Sequence, residues 1–220
     1  MSKMNNPNKQ FSPEKISLTF FTGYAGKIAG RTENRLRDFF EDKNIKCNFF
    51  HDRNRLFFLS GDDESSDEDT LVAKLNALLS EREINVFIGS SAGGFGAIKY
   101  GLQLNISSVI CFSPFTSFSR QMQILDTRGE GIVEQLMLKS TVDSDRDLKN
   151  LFDKQANSKT SFKIFYPTLS NKDVIQAFNL THPNVEHIGV VSKNHMYSDI
   201  KFNVALNIMR QLRVIHSHSI

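Results

Sequence analysis

The feature that most constrains the fold is a Gly-Ser-Ser-Ala-Gly stretch at positions 89–93, which directly follows the apolar run 84–88. This G-x-S-x-G pattern is typical of a sharp turn between a buried strand and a helix, with the hydroxyl of the middle serine, Ser91, exposed. Glycines suit such a turn, because the neighbouring backbone leaves no room for Cβ atoms. The start of the helix would also point unpaired N–H groups at an oxyanion beside Ser91. The pattern therefore predicts that Ser91 is the nucleophile of an acyl-transfer enzyme.

The composition fits an enzyme of one domain. A chain of 220 residues can bury a sizeable core, and its net charge of +3 is too small to indicate nucleic acid as the main partner. The segment 1–13 is polar, and no stretch approaches the roughly 18 apolar residues of a membrane span. The two cysteines, Cys47 and Cys111, are too few for a disulfide framework, so we expect free buried thiols. These features predict a cytoplasmic protein.

Short apolar runs alternate with amphipathic helical patterns along the chain. Because strands that alternate with helices form βαβ units, we expect an α/β fold: a doubly wound, mostly parallel sheet of about six strands with helices on both faces. We assign residues 14–213 to this single domain, with tails at 1–13 and 214–220. The predicted strands are 16–21, 47–51, 84–88, 108–112, 162–166 and 185–191. The predicted helices include 31–42, 67–79, 92–104, 174–180 and 200–212.

An acidic stretch at 61–69 holds six carboxylates. A metal site is conceivable, but the spacing and the closing glutamate of an EF-hand loop are missing. Acidic residues also complement the positive end of a helix, and Asp67, Glu68 and Asp69 immediately precede an amphipathic pattern. We therefore expect a helix start here and predict neither a metal nor a cofactor.

A second segment, 115–160, is much longer than an ordinary crossover between strands. It contains a helical pattern at 132–138 and a charged run at 143–147. Long insertions in such folds often shape the substrate pocket. We predict a small helical lid over the carboxyl ends of the strands.

A serine hydroxyl needs a base to become a nucleophile, and the sequence offers six histidines. The base should lie at the carboxyl ends of the strands, where Ser91 is expected. His195 meets this requirement because it follows the sixth strand by four residues, and we select it. His51 closes the second strand and would lie at the same rim. The remaining histidines fall in the C-terminal tail or before or inside the sixth strand: His182, His187, His216 and His218.

The base needs an acid that orients it, and Asp173 lies in the right place. It follows the fifth strand and opens the helix 174–180. An ordinary helix cap is the competing interpretation. We prefer the catalytic role, because Ser91, Asp173 and His195 occur in the chain order of an α/β-hydrolase triad. The weaker alternatives are Asp153 and Glu186.

An oxyanion hole needs two preorganised donors. The first should be the N–H of Ala92, the residue after the nucleophile. The second should come from the loop after the first strand, where Gly23 or Tyr24 can turn an N–H inward. A simple glycine turn explains this loop equally well.

The sequence resembles compact members of the α/β-hydrolase superfamily over roughly residues 16–212. The resemblance is carried by Gly-Ser-Ser-Ala-Gly-Gly-Phe-Gly-Ala at 89–97, by Phe-Ser-Pro at 112–114 and by Asp52. These stretches are similar to small bacterial hydrolases linked to surface-polysaccharide and glycan modification. Two features depart from the larger superfamily: few residues precede Ile16 for leading antiparallel strands, and the His-Gly oxyanion signature of lipases is missing.

Together these features predict a serine esterase or deacylase that works through an acyl-enzyme, with a small-molecule or glycan ester as substrate. An acyltransferase would use the same triad and pass the acyl group to a sugar or another hydroxyl. A non-catalytic binding module would keep the fold without the chemistry. A nucleotide-binding loop at 23–27 is a weak further alternative, because Ile28 stands where a P-loop carries Ser or Thr.

Overall fold

The computed structural model describes residues 11–79, 84–128, 130–139, 146–155 and 157–218. Six of its strands form one sheet in which every neighbouring pair is parallel, and the other two form a short antiparallel hairpin. The strands are β1 (Ile16–Phe21), β2 (Lys27–Ile28), β3 (Arg31–Thr32), β4 (Lys46–Phe50), β5 (Ile84–Ser90), β6 (Ser108–Phe112), β7 (Ser161–Pro167) and β8 (Val185–Val190). The predicted parallel α/β sheet is confirmed.

The order of the strands determines where a ligand can bind. The main sheet runs β4-β1-β5-β6-β7-β8, so the chain leaves β1 toward one edge and then returns to β5 on the other side of β1. Parallel sheets of this kind bind ligands in the crevice beyond the carboxyl ends of the strands, at the point where the order reverses. Here that point lies between the loops that follow β1 and β5. Ser91 is the first residue after β5.

Helices cover both faces of the sheet. They are α1 (Glu33–Glu41), α2 (Glu68–Leu79), α3 (Ala92–Gln103), α4 (Arg120–Leu125), α5 (Glu130–Lys139), α6 (Leu148–Lys154), α7 (Asn171–Phe178) and α8 (Val204–His218). Side chains alternate along β1, so Leu18 and Phe20 pack in a core with α1 and α8, whereas Phe21 packs on the opposite face with α2 and α3. Among the described residues, no helix is both long enough and apolar enough to cross a bilayer.

Most predicted elements lie within a few residues of their observed bounds, but the end of the chain differs. The last helix, α8, begins at Val204 and continues through His218, whereas the pattern predicted a helix at 200–212 followed by a tail. The extension is held by packing: His216 is buried, its ring meets Phe11, and its Nε2 accepts a hydrogen bond from the Ser12 N–H at 3.3 Å.

The described part of the segment 115–160 contains three helices, α4, α5 and α6, and the helical pattern predicted at 132–138 lies within α5. Part of the segment belongs to the core, because Phe118 and Phe152 are buried there and α6 packs on α3. Helices of six or seven residues show too little periodicity to be recognised from sequence, so α4 and α6 were not predicted. The role of the segment as a lid stays a prediction.

The acidic stretch 61–69 forms a turn and the start of α2, which begins at Glu68. The Asp67 Oδ1 atom accepts a hydrogen bond from the Thr70 N–H at 2.8 Å, as a helix-capping carboxylate does. Asp62 is buried, accepts the Ser65 N–H and pairs with Lys74 at 2.9 Å. The helix start expected from the acidic residues is confirmed.

Close packing between α3 and β1 generates a test of stability. A Cβ atom added at Gly93 would lie 2.1 Å from the Phe21 carbonyl oxygen, a backbone atom that cannot rotate away. We therefore expect Gly93→Ala to lower the free energy of unfolding by about 2–3 kcal/mol, the usual cost of overpacking. Urea unfolding measures this difference through the transition midpoint.

Gly131 offers a matched control in α5, because a Cβ atom added there meets nothing within 4 Å. Gly131→Ala should raise the free energy of unfolding by about 0.5–1 kcal/mol, since alanine loses less backbone entropy in a helix. Equal effects of the two substitutions would contradict the packing of α3 described above.

Candidate active site

Ser91 occupies a strained turn between β5 and α3. Its backbone has φ 55° and ψ −123°, a conformation that a residue with a side chain rarely adopts and that costs on the order of 1–3 kcal/mol. Three hydrogen bonds hold the turn: the Ser91 N–H donates to Phe112 at 3.1 Å, and the Ser91 carbonyl accepts the N–H groups of Gly94 and Phe115, both at 3.0 Å. The strain is thus imposed by strands and loops on both sides of the serine.

The loop that follows β1 lies directly against this serine. A Cβ atom added at Gly23 would lie 3.2 Å from the Ser90 carbonyl oxygen and 3.5 Å from the Ser91 Cβ. The neighbouring serine, Ser90, is buried, and its Oγ accepts the N–H of Ala29 at 3.0 Å. Ser91 is half-buried and lies at the crevice. Ser90 instead binds the backbone of Ala29 and so holds the segment between β1 and α1 in place.

Asp173 and His195 are in direct contact, as the sequence predicts. The His195 Nδ1 lies 2.6 Å from the Asp173 Oδ1, and the aspartate side chain is fully buried. Asp173 is the third residue of α7, and the Ser170 hydroxyl donates to its Oδ2 at 2.6 Å. Asp173 is therefore not a capping residue. Both of its carboxylate oxygens are occupied, one of them by the imidazole.

Hydrogen bonds of the Ser113 hydroxyl fix the loop that carries His195. The Ser113 hydroxyl donates to the His195 carbonyl oxygen at 2.8 Å and shares a hydrogen bond of 2.9 Å with the Tyr197 hydroxyl. Both Ser113 and Tyr197 have positive φ, so each marks a sharp turn at this rim. The loop after β6 thereby braces the loop after β8.

Phe115 links the serine to the histidine. Its N–H donates to the Ser91 carbonyl, and its ring faces the imidazole at 6.4 Å between centroids. Among the described residues, no hydrogen bond joins the Ser91 hydroxyl to His195.

Two further residues, which the sequence analysis missed, complete the acidic side of the site. Arg128 donates through Nη1 to the Asp173 Oδ1 at 2.7 Å, and the same Nη1 lies 2.8 Å from the His195 Nδ1. Its Nε and Nη2 bind the two oxygens of the buried Asp126 at 2.8 and 2.7 Å. The only signal in the sequence is a pair of opposite charges two positions apart, which does not reveal a contact 45 positions further along the chain.

The charges around Asp173 keep it ionised. Burial alone would raise its pKa, but the hydrogen bond and charge of His195, together with the charge of Arg128, lower the pKa of Asp173 below its ordinary value. The pKa of Asp126 is lowered in the same way: burial opposes ionisation, and the hydrogen bonds and charge of Arg128 outweigh it.

The loop after β1 holds the two residues predicted as the second oxyanion donor, Gly23 and Tyr24. The Gly23 N–H already donates to the Lys27 carbonyl at 3.1 Å, which leaves Tyr24 as the stronger of the two predicted candidates. Ala92 is the first residue of α3, so its N–H has no partner within the helix. The Ala92 N–H and the Tyr24 N–H stay the predicted donors for an oxyanion beside Ser91.

His51 lies at the same rim but serves this loop instead of the serine. Its Nδ1 shares a hydrogen bond of 3.0 Å with the Thr22 hydroxyl, and its Nε2 lies 3.0 Å from Glu33. Thr22 is buried and immediately precedes Gly23. The chain Thr22–His51–Glu33 thus ties the loop to α1.

The remaining predicted alternatives do not contact His195. His187 stacks on Phe178 and bonds the Ala177 carbonyl at 2.9 Å, while Glu186 pairs with Lys163. Three others lie elsewhere in the fold: Asp153 is exposed on α6, His182 packs against Phe152, and His216 is buried in α8. Both cysteines, Cys47 and Cys111, are free and buried, as predicted, and burial raises the pKa of Cys47 to about 12.

The depressed pKa of Asp173 generates a prediction about stability and pH. Because its pKa is lower in the folded than in the unfolded chain, Asp173 stabilises the fold above the unfolded value of about 3.9 and loses this effect as the pH falls further. The free energy of unfolding should therefore fall more steeply between pH 5 and pH 3 in the parent than in Asp173→Asn. Urea unfolding across this range measures both slopes.

Asp153→Asn, at an exposed aspartate on α6, is the control and should keep the steep slope of the parent. If Asp173→Asn falls as steeply as the parent, the buried ion pair at Asp173 is absent in solution.

No protein-family model matches the sequence, and no curated protein sequence matches it. Several solved structures, however, are similar to this chain. MenH from S. aureus aligns with a TM-score of 0.58 at 18% identity, over 93% of this chain and 96% of that chain. FphF, a fluorophosphonate-binding serine hydrolase of Staphylococcus aureus, aligns with a TM-score of 0.55 at 14% identity, over 97% of this chain and 89% of that chain.

A chain of the glycosylation-associated Gap123 complex from Streptococcus agalactiae aligns with a TM-score of 0.56 at 18% identity, over 94% of this chain but 43% of that chain. A protein described as a putative hydrolase of the alpha/beta superfamily, from Xanthomonas campestris, aligns with a TM-score of 0.50 at 13% identity, over 94% of this chain and 99% of that chain. At these identities the likeness establishes architecture. The chain has the α/β-hydrolase fold.

Proposed function

We propose that the protein is a serine hydrolase, a carboxylesterase or deacylase, with Ser91 as nucleophile, His195 as general base and Asp173 as the acid that orients it. The observation that carries this proposal is the buried 2.6 Å contact between Asp173 and His195 at the rim where the strained Ser91 turn stands. The fold supports it, because in α/β-hydrolases the three residues follow these strands in this order. FphF, a protein of similar structure, is a serine hydrolase.

In the first half-reaction, the Ser91 Oγ attacks the ester carbonyl carbon while the His195 Nε2 takes the hydroxyl proton. The carbonyl π electrons move onto oxygen, and the N–H groups of Ala92 and Tyr24 stabilise this oxyanion. When the oxyanion collapses, the bond to the alcohol breaks and His195 returns the proton to the leaving oxygen. The acyl group is then bound to Ser91.

In the second half-reaction, His195 takes a proton from water, and the water oxygen attacks the acyl carbon. The bond to the Ser91 Oγ breaks, His195 reprotonates that oxygen, and a carboxylic acid leaves. Asp173 stays ionised throughout and stabilises the imidazolium. A sugar hydroxyl in place of water would make the same acyl-enzyme a transferase.

A polar cavity between the loops after β1 and β4 reaches Ser91 through its lining residue Gly23, and it supports a polar alcohol as leaving group or acceptor. It has a volume of about 280 Å³ and is lined by Thr22, Gly23, Tyr24, Gly26, His51, Asp52, Arg53 and Arg55. Its hydrogen-bonding side chains suit a sugar better than an alkyl chain. The structural likeness to a chain of the glycosylation-associated Gap123 complex points the same way, so an acylated glycan is the proposed substrate class.

The nucleophile can be tested by covalent labelling. A fluorophosphonate probe should label the parent protein at Ser91, because the probe reacts with a serine that a base has activated. Ser91→Ala and His195→Gln should lose the label, and Asp173→Asn should slow hydrolysis of a p-nitrophenyl ester by about 10³–10⁴-fold, as in other triads. Mass spectrometry of the labelled peptide identifies the serine.

The adjacent serine provides the matched control. Ser90 accepts a backbone hydrogen bond and is buried, so Ser90→Ala should keep the label even if it lowers stability. A parent protein that takes no label and hydrolyses no ester would indicate a binding module that has kept only the fold.

Hydrolysis and transfer differ in their products. With an acetylated sugar as donor, a hydrolase releases acetate at a rate that does not depend on added sugar. A transferase instead yields an acetylated acceptor whose amount rises with acceptor concentration. Product analysis by mass spectrometry separates the two, and we expect acetate as the main product.

A further inference from the structure

Two nitrogens converge on one oxygen at the acidic end of the site. The Asp173 Oδ1 lies 2.6 Å from the His195 Nδ1 and 2.7 Å from the Arg128 Nη1, and the two nitrogens are 2.8 Å apart. A guanidinium can only donate hydrogen bonds. The imidazole Nδ1 can donate to Asp173 or accept from Arg128, but it cannot do both. Arg128 and His195 therefore share one carboxylate oxygen, whose two lone pairs can accept a hydrogen bond from each.

Asp126 fixes the position of Arg128 on the side of the guanidinium that faces away from Asp173. Its Nε and Nη2 bind Asp126 in the bidentate manner that gives arginine–carboxylate pairs their defined geometry, and the Gln176 amide donates to the same aspartate at 3.1 Å. The guanidinium also lies over the Phe115 ring at 5.1 Å. Because Asp126 is buried and held from two sides, Arg128 cannot drift from Asp173 without breaking several contacts.

We propose that Arg128 is a positioning residue that holds the Asp173 carboxylate against His195 and sets the net charge that the imidazole faces. Asp126, Asp173 and Arg128 together carry one negative charge, whereas without Arg128 they would carry two. The two aspartates, Asp126 and Asp173, therefore stabilise a His195 imidazolium less in the parent protein than they would without Arg128.

The other charged groups near His195 form hydrogen bonds with residues other than His195. On its own loop, the Asp199 carboxylate binds the Ser192 hydroxyl and the Lys193 N–H, at 2.5 and 3.0 Å. On α7, Lys172 donates to the Thr127 hydroxyl at 2.9 Å, and from the loop after β6 the Ser113 hydroxyl contacts the main chain of His195. Among the described residues, Arg128 is the cation in contact with the imidazole.

The test follows the protonation of His195 directly by NMR in the whole protein without substrate. The imidazole resonances are assigned by comparison with His195→Gln and followed from pH 4.5 to pH 9. In Arg128→Gln the midpoint of this titration should rise by about one pH unit, because removal of a cation within about 4 Å of a titrating group typically shifts it by that much or more. The acidic limb of the kcat/KM profile should move in the same direction.

Two variants separate charge from structure. Arg128→Lys keeps the charge and should titrate near the parent, whereas Arg128→Met keeps the contact with Phe115, loses the charge and should behave like Arg128→Gln. Arg120→Gln, at a surface arginine of α4, is the control for a general change in charge. A folded Arg128→Gln or Arg128→Met with an unchanged or lower midpoint would overturn the role assigned to Arg128.

The kinetic consequence of this role rests on the proposed function, but the NMR titration does not. If the midpoint rises as expected while no fluorophosphonate label appears at Ser91, the electrostatic role stands and the hydrolase proposal fails. If the label appears and the midpoint stays fixed in folded variants, the hydrolase proposal stands and the role of Arg128 is wrong.

Discussion

The structure depends on how closely the turn between β5 and α3 can approach the end of β1. At Gly93 a Cβ atom would overlap the Phe21 carbonyl, and at Gly94 it would lie 2.5 Å from the Pro114 Cβ. Because Gly93 and Gly94 carry no side chain, the loops after β1, β5 and β6 can come into contact around one residue, Ser91. The backbone strain at Ser91 is maintained because all three loops would have to move to release it. Position, more than any single hydrogen bond, makes this serine a nucleophile candidate.

The second requirement is electrostatic and is met on the other side of the crevice. A carboxylate with a fully buried side chain, as at Asp173, is costly unless charged partners surround it. His195 and Arg128 both meet that need, so the stability of the buried acid and the orientation of the base arise from one cluster. The insertion between β6 and β7 therefore contributes to the site through the charge of Arg128.

The fold and the pair Asp173–His195 could be predicted because their signals are local. Alternating apolar runs mark parallel strands, and residues that follow such strands meet at one rim whatever lies between them. The partners of Asp173 could not be predicted in the same way. Arg128 lies between α4 and α5, in a stretch of sequence without a periodic pattern. Its contact with Asp173 on α7 depends on how these helices fold back toward the site. The extension of α8 likewise depends on tertiary packing of His216 against Phe11, which a helical pattern does not reveal.

A double-mutant cycle on kcat tests most directly whether Ser91 and His195 act as one unit. Residues that act together in a triad are strongly non-additive, because removal of either abolishes the shared step. We expect Ser91→Ala, His195→Ala and the double variant to lose about the same factor in kcat, provided that all three fold like the parent. If the two single losses multiply in the double variant, Ser91 and His195 contribute independently, and the triad described here is wrong.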